Sequence, residues 1–132
     1  MEIFINILFG HLVGDYLLQS KKMAFFKSEN TSRGYLWCFI HSLIYTASIC
    51  LFLWTLNPVI IILVFMSHYP IDKWSLASKW LKLIGGRDFI KAYESTEKYR
   101  EIDISFSAIV YTVVDNTFHL LLLWGIVHWF VL

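Results

Sequence analysis

Charge is scarce in this chain. Of its 132 residues only 16% are Asp, Glu, Lys or Arg, against about a quarter in an ordinary soluble domain. The net charge of +1 gives no broad basic field, so nothing points to nucleic acid as a partner. Proline and cysteine are limited to two residues each. Cys38 and Cys50 fall in one apolar segment, where a helix would hold them roughly 18 Å apart, beyond disulfide reach; they read as small apolar fillers. A glycine-rich phosphate loop, G-x-S-x-G, H-E-x-x-H and Cys-x-x-Cys are all missing, which excludes the chemistries those motifs carry. The first residues, "MEIFINILFGHLVGD", have no basic leader and place His and Asp within the apolar stretch. They read as a retained membrane span rather than a cleaved signal.

What the chain has instead is apolar and aromatic side chains, 58% and 18% of the total. A helix needs about 20 apolar residues to cross a bilayer, and four segments approach that: about 3–20, 35–54, 58–81 and 104–132. The connection after the first carries Lys21, Lys22, Lys27 and Arg33, and the one after the third carries Lys82, Arg87, Lys91, Lys98 and Arg100. The remaining connection is the uncharged "TLNP". Four spans put both basic connections on one side, and the positive-inside rule makes that side the cytoplasm, with both termini outside. The expected fold is all-α, an integral membrane four-helix bundle in a single domain, 1–132. Phe89, Ile90, Tyr93 and Tyr99, mixed with charges, predict a short interfacial helix in the cytoplasmic loop between spans three and four. Pro70 predicts a kink in span three. So small a bundle is compatible with a homodimer, although no strong G-x-x-x-G face predicts one.

Ionisable groups inside the spans carry the functional signal. Span one has His11 and Asp15, span three His68 and Asp72, and span four Asp115 and His119. Each pair is spaced i, i+4, which sets both side chains on one helix face. Span two adds His41. Counted from the cytoplasmic edge, most of these groups lie about 10–20 Å deep at 1.5 Å per residue, so four helices can bring them to one layer. An Asp at the centre of a span costs roughly 2.5–3.5 kcal/mol on insertion scales, a penalty relieved only if the groups meet each other or a cation. His11, Asp15, His41, His68, Asp72, Asp115 and His119 are therefore the candidate metal ligands. Mixed imidazole and carboxylate donors suit a divalent transition metal, zinc above manganese or iron. Seven donors and three carboxylates fit two ions sharing a bridge better than one. His128, nine residues beyond His119, falls on the opposite face and belongs with Trp129 at the outer interface. Gln19, Tyr45, Lys73 and Asn116 are supporting candidates, able to orient a ligand or touch substrate.

At these residues the chain resembles a small membrane family of bacteria and their phages, catalogued as domain of unknown function thirty-three-zero-seven. That family runs H-x3-D-x3-Q, then a His, then H-x2-I-D-x-x-K, then D-Q-x-x-H; here stand "GHLVGDYLLQ", His41, "HYPIDK" and "DNTFHL". The chain departs at Asn116, where the family usually has Gln, and at Lys73, which comes sooner than the usual lysine. The resemblance implies a bacterial cytoplasmic (inner) membrane location. A more distant similarity to inner-membrane metal-dependent hydrolases implies metal-assisted hydrolysis. The resulting expectation is an intramembrane metal-dependent hydrolase acting on a lipid-like phosphoester or similar amphiphile. Asp15, Asp72 or Asp115 would bridge the metals or act as base. The alternatives are a metal-ion or proton carrier and a non-catalytic membrane factor held together by the polar cluster.

Overall fold

The computed structural model describes residues 2–130, and its described residues are helical with no strand. In chain order the α-helices are α1 (Glu2–Leu12), α2 (Lys21–Phe26), α3 (Ser32–Phe52), α4 (Pro58–Lys73), α5 (Leu76–Gly85), α6 (Phe89–Glu94) and α7 (Arg100–Phe130). Between α1 and α2 the helix widens into a π-helical turn over Val13–Leu17, closed by Leu18 N–H donating to Val13 O at 2.9 Å.

Local chemistry sets the boundaries. Ser20 caps α2, its hydroxyl accepting from Met23 N–H, and Thr31 caps α3 by accepting from Gly34 N–H at 3.1 Å. Asn57 caps α4 with Pro58 at the first helical position, where a missing N–H is no loss. α4 continues as helix through Pro70, and the chain bends after it, at Trp74 and Ser75, with Ser75 in the left-handed region at φ 46°. The Pro70 carbonyl still accepts from Trp74 N–H, and the bend into α5 follows at Ser75. α5 leaves α4 at 56° and lies against α7, where Trp80 meets Phe118 edge-on.

α3 and α7 are each long and apolar enough to cross a membrane, and the bent α4–α5 pair makes a third candidate. The first segment is shorter, eleven residues of α-helix followed by five of π-helix. The outward faces agree with an apolar surrounding: Leu51, Ile62, Ile109, Val113 and Leu121 are all more than half exposed. A run of such residues on water would be an interaction surface or an aggregation liability.

Inside, Ile7, Ile49, Ile60, Val64, Leu123 and Val127 form an apolar plug with Tyr45 at its edge. They come from the middle of α1, the end of α3, the first half of α4 and the end of α7, so the plug fills one half of the packed helices. α1 reaches α3 closely because Gly10 and Gly14 face it: a Cβ on Gly14 would lie 2.8 Å from the Tyr45 ring, and one on Gly10 3.3 Å from the Ile49 Cα. Gly10-x3-Gly14 is a small-residue seam of the kind that lets membrane helices approach, and it packs two helices of one chain. This face is thus occupied by packing within the chain.

Candidate metal centre

The half of the bundle opposite the plug holds the polar groups. The π-turn presents Asp15, mid-α3 presents His41, the last turn of α4 presents His68 and Asp72, and mid-α7 presents His119. All five are buried, with His41 at 0% and Asp15, the most exposed, at 9%. π-turns recur at functional sites, and this one carries Asp15. It still meets His11, whose Nδ1 lies 3.2 Å from Asp15 Oδ2 across the i, i+4 spacing.

One donor atom each from Asp15, His41, His68 and Asp72 lies within 4.8 Å of the other three. His41 Nε2 is 3.1 Å from Asp15 Oδ1 and 3.1 Å from Asp72 Oδ2. His68 Nε2 is 3.1 Å from Asp72 Oδ2 and 3.6 Å from Asp15 Oδ1. Donors tetrahedrally arranged at metal–ligand bonds of about 2.0–2.1 Å stand about 3.3–3.4 Å apart, so these four edges bracket that spacing.

Hydrogen bonding is the stricter test. His68 Nε2 sits within reach of Asp72 yet has no hydrogen bond, and His68 Nδ1, His41 Nδ1 and His119 Nε2 are also buried without one. His119 is the clearest case. Its Nδ1–H donates to the Asp115 carbonyl at 2.9 Å, which leaves a lone pair on Nε2. That lone pair lies 3.9 Å from Asp72 Oδ1, and a lone pair facing a carboxylate is repulsive unless a cation stands between them. Buried polar atoms are normally satisfied; the two orphaned nitrogens that face the carboxylates, His68 Nε2 and His119 Nε2, fit a metal ion.

The other sequence candidates take varied places. His11 is buried, but both its nitrogens have protein partners: Nδ1 is 3.0 Å from the Tyr45 hydroxyl and 3.2 Å from Asp15 Oδ2, and Nε2 donates to Asn116 Oδ1. Asn116 in turn donates from Nδ2 to Tyr16 and to the Thr112 carbonyl. The structure thus ties Asn116 to His11. Tyr45 lies flat on His68, ring centroids 3.6 Å apart at 14°, and fixes that imidazole from the plug side. Gln19 Nε2 is 3.0 Å from His41 Nε2. Asp115 stands outside the four-donor group, its side chain 20% exposed and its Oδ2 3.8 Å from His119 Nδ1. It lines a polar cleft of about 200 Å³ with Asp15, Tyr16, Gln19, Lys27 and Tyr111, which is the opening to the cluster. His128 is exposed and stacks on Trp124.

Lys73 points elsewhere. It is buried at 4%, donates to the Glu29 carbonyl at 2.6 Å and to the Lys27 carbonyl at 3.5 Å, and lies over the Tyr35 ring. The lysine at the site is Lys27, which sequence reasoning counted only as a loop charge. Its Nζ donates to Asp72 Oδ2 at 2.8 Å. Burial alone would drive this ammonium toward its neutral form, but the Asp72 and Asp15 carboxylates outweigh it and hold its pKa above the usual lysine value.

Fold and site together define an all-helical protein with membrane-length helices and a buried His/Asp group able to hold a metal ion. The chain matches the family described as "Protein of unknown function (DUF3307)" over residues 3–132, and it belongs to that family. Neither a curated protein nor a solved structure matches it.

Proposed function

We propose that this protein is an intramembrane metal-dependent hydrolase of a lipid-like phosphoester or similar amphiphile, with its site in the cytoplasmic half of a four-helix bundle. The observation that carries the reading is the convergence of Asp15, His41, His68 and Asp72 at ligand spacing beneath a cleft lined by further ionisable groups.

Asp15, His41, His68 and Asp72 would hold the metal, with His119 Nε2 directed at the same carboxylate. A divalent ion bound there, zinc first and manganese or iron next, lowers the pKa of a bound water and stabilises charge developing on the attacked group. The chain's own residues supply the rest. Asp115, outside the donor group and in contact with the cleft, is placed to take the proton of an attacking water at Oδ2. The Lys27 ammonium neutralises part of the carboxylate charge and sits where an anionic substrate group would enter. Tyr45 and His11 hold the donor side chains in place, and the apolar plug keeps water out from the far side. The charge inventory now favours one ion over two: Asp15, Asp72 and Asp115 carry three negative charges, Lys27 offsets one, and a single divalent ion brings the sum to zero.

The plug also weighs against a carrier, since Ile7, Ile49, Ile60, Val64, Leu123 and Val127 close the half of the bundle that an ion would have to cross. Elemental analysis of the purified protein, before and after metal loading, tests the reading together with release of product from amphiphilic phosphoesters. One transition-metal ion per chain and metal-dependent turnover are expected. A protein that holds no such metal after loading refutes the proposal.

A further inference from the structure

Beside the polar cleft lies a second cavity of different character. It is a groove of about 440 Å³ between α5, α6 and α7, within the usual range of ligand pockets, and its floor and walls include Leu81, Phe89, Ile90 and Ala108. Tyr111 and Thr112 of α7 line both the groove and the polar cleft, so an apolar trough and a polar pocket meet at one turn of one helix.

The rim of the groove is basic. Lys82 and Arg87 stand there with one acid, Asp88, and Lys82 is already paired with Asp88 at 2.8 Å. That leaves the charge of Arg87, which makes no ion pair among the described residues. The backbone fixes where Arg87 starts: Gly86 ends α5 at φ +60° and Arg87 N–H donates to the Leu81 carbonyl at 3.1 Å, the αL cap that only glycine adopts freely.

An apolar trough with an unpaired arginine on its rim, joined to a polar pocket where Lys27 stands with Asp15 and Asp115, is complementary to an anionic amphiphile. We propose that the groove between α5, α6 and α7 binds an acyl chain of an anionic phospholipid, with the anionic head held at Arg87 on the rim and its phosphate reaching past Tyr111 and Thr112 toward the cleft over the His/Asp cluster. This names the substrate class of the hydrolase, and its head-group half rests on that reading; occupancy of the groove does not.

The test uses the full chain in vesicles of zwitterionic phospholipid. These are doped with a phospholipid whose acyl chain carries a photoactivatable diazirine, either phosphatidylglycerol or phosphatidylcholine, and cross-links are mapped by mass spectrometry. The phosphatidylglycerol probe should label the groove walls on α5, α6 and α7 in preference to the outward faces of α3 and α4. Ala108→Trp, which fills the trough from an exposed position, should cut that labelling about tenfold, equivalent to about 1.4 kcal/mol. Arg87→Gln should bring labelling by phosphatidylglycerol down to that by phosphatidylcholine. Because Arg87 lies between α5 and α6 and makes no ion pair among the described residues, Arg87→Gln decides the matter even if Ala108→Trp fails to fold. Labelling spread evenly over the bundle, indifferent to both variants, or equal for the two lipids, overturns the proposal. Metal content measured on the same samples separates the two readings. A wild type that labels in the groove but holds no metal removes the hydrolase and leaves the groove, and one that holds metal without groove labelling does the reverse.

Discussion

Gly34→Ala tests the support of the site from outside it. Gly34 is the third residue of α3, and a Cβ there would lie 2.0 Å from the Glu29 carbonyl oxygen and 2.9 Å from the Phe26 carbonyl oxygen. Carbon–oxygen contacts settle near 3.3 Å, so the Glu29 carbonyl must retreat by about 1.3 Å. That oxygen is the one Lys73 holds at 2.6 Å. A retreat of that size takes the bond past hydrogen-bonding range and leaves an ammonium that is only 4% exposed with a poor set of acceptors. Loss of a partner by a buried group costs about 1–3 kcal/mol, more when it is charged. Alanine returns about 1 kcal/mol through helix propensity.

A net loss of about 2 kcal/mol remains, which should lower the thermal unfolding midpoint in detergent by about 8 °C, taking about 4 °C per kcal/mol for a chain of this size. Lys73→Met should destabilise by the same route, and because both changes act on one contact the double variant should cost little more than the worse single. The same strap aims Lys27 at Asp72, so metal retained after dialysis should change in both single variants. An unfolding midpoint for Gly34→Ala within about 2 °C of wild type, or a strictly additive double variant, would refute this account of Lys73.

Asp72→Asn should abolish retention of one metal equivalent. Asp115→Asn should leave metal content near wild type while slowing turnover about 10²–10⁴-fold, the usual range for a lost general base; elemental analysis paired with product release separates them. Tyr45→Phe keeps the ring on His68 but removes the hydroxyl 3.0 Å from His11 Nδ1, so the unfolding midpoint should fall by the equivalent of about 0.5–1.5 kcal/mol with metal stoichiometry retained. Metal affinity should decline as pH falls, because protons compete for the same imidazole lone pairs, and recover as pH rises again. A titration with a metal-sensitive dye gives both arms, and an affinity independent of pH from 5 to 8 would remove imidazole from the ligand set.

Periodicity made much of the site legible. His68 and Asp72 are four residues apart on a regular helix, so their shared face follows from 3.6 residues per turn, and the same arithmetic sends His128 away from His119. His41 needed only the depth argument. The same spacing brings Asp15 onto His11, at 3.2 Å, although nothing in "HLVGD" marks where the helix will widen. Lys27 was illegible because its arrival depends on how α2 folds back under the bundle, a tertiary fact. Lys73 is different, because the sequence already argued against it. Adjacent residues on a helix point about 100° apart, so a lysine next to Asp72 cannot share the cluster with it while both remain helical. It must serve another partner, and the partner it finds is the backbone that carries Lys27. Two lysines 46 residues apart therefore act on one carboxylate, Lys27 by touching it and Lys73 by holding the segment from which Lys27 reaches.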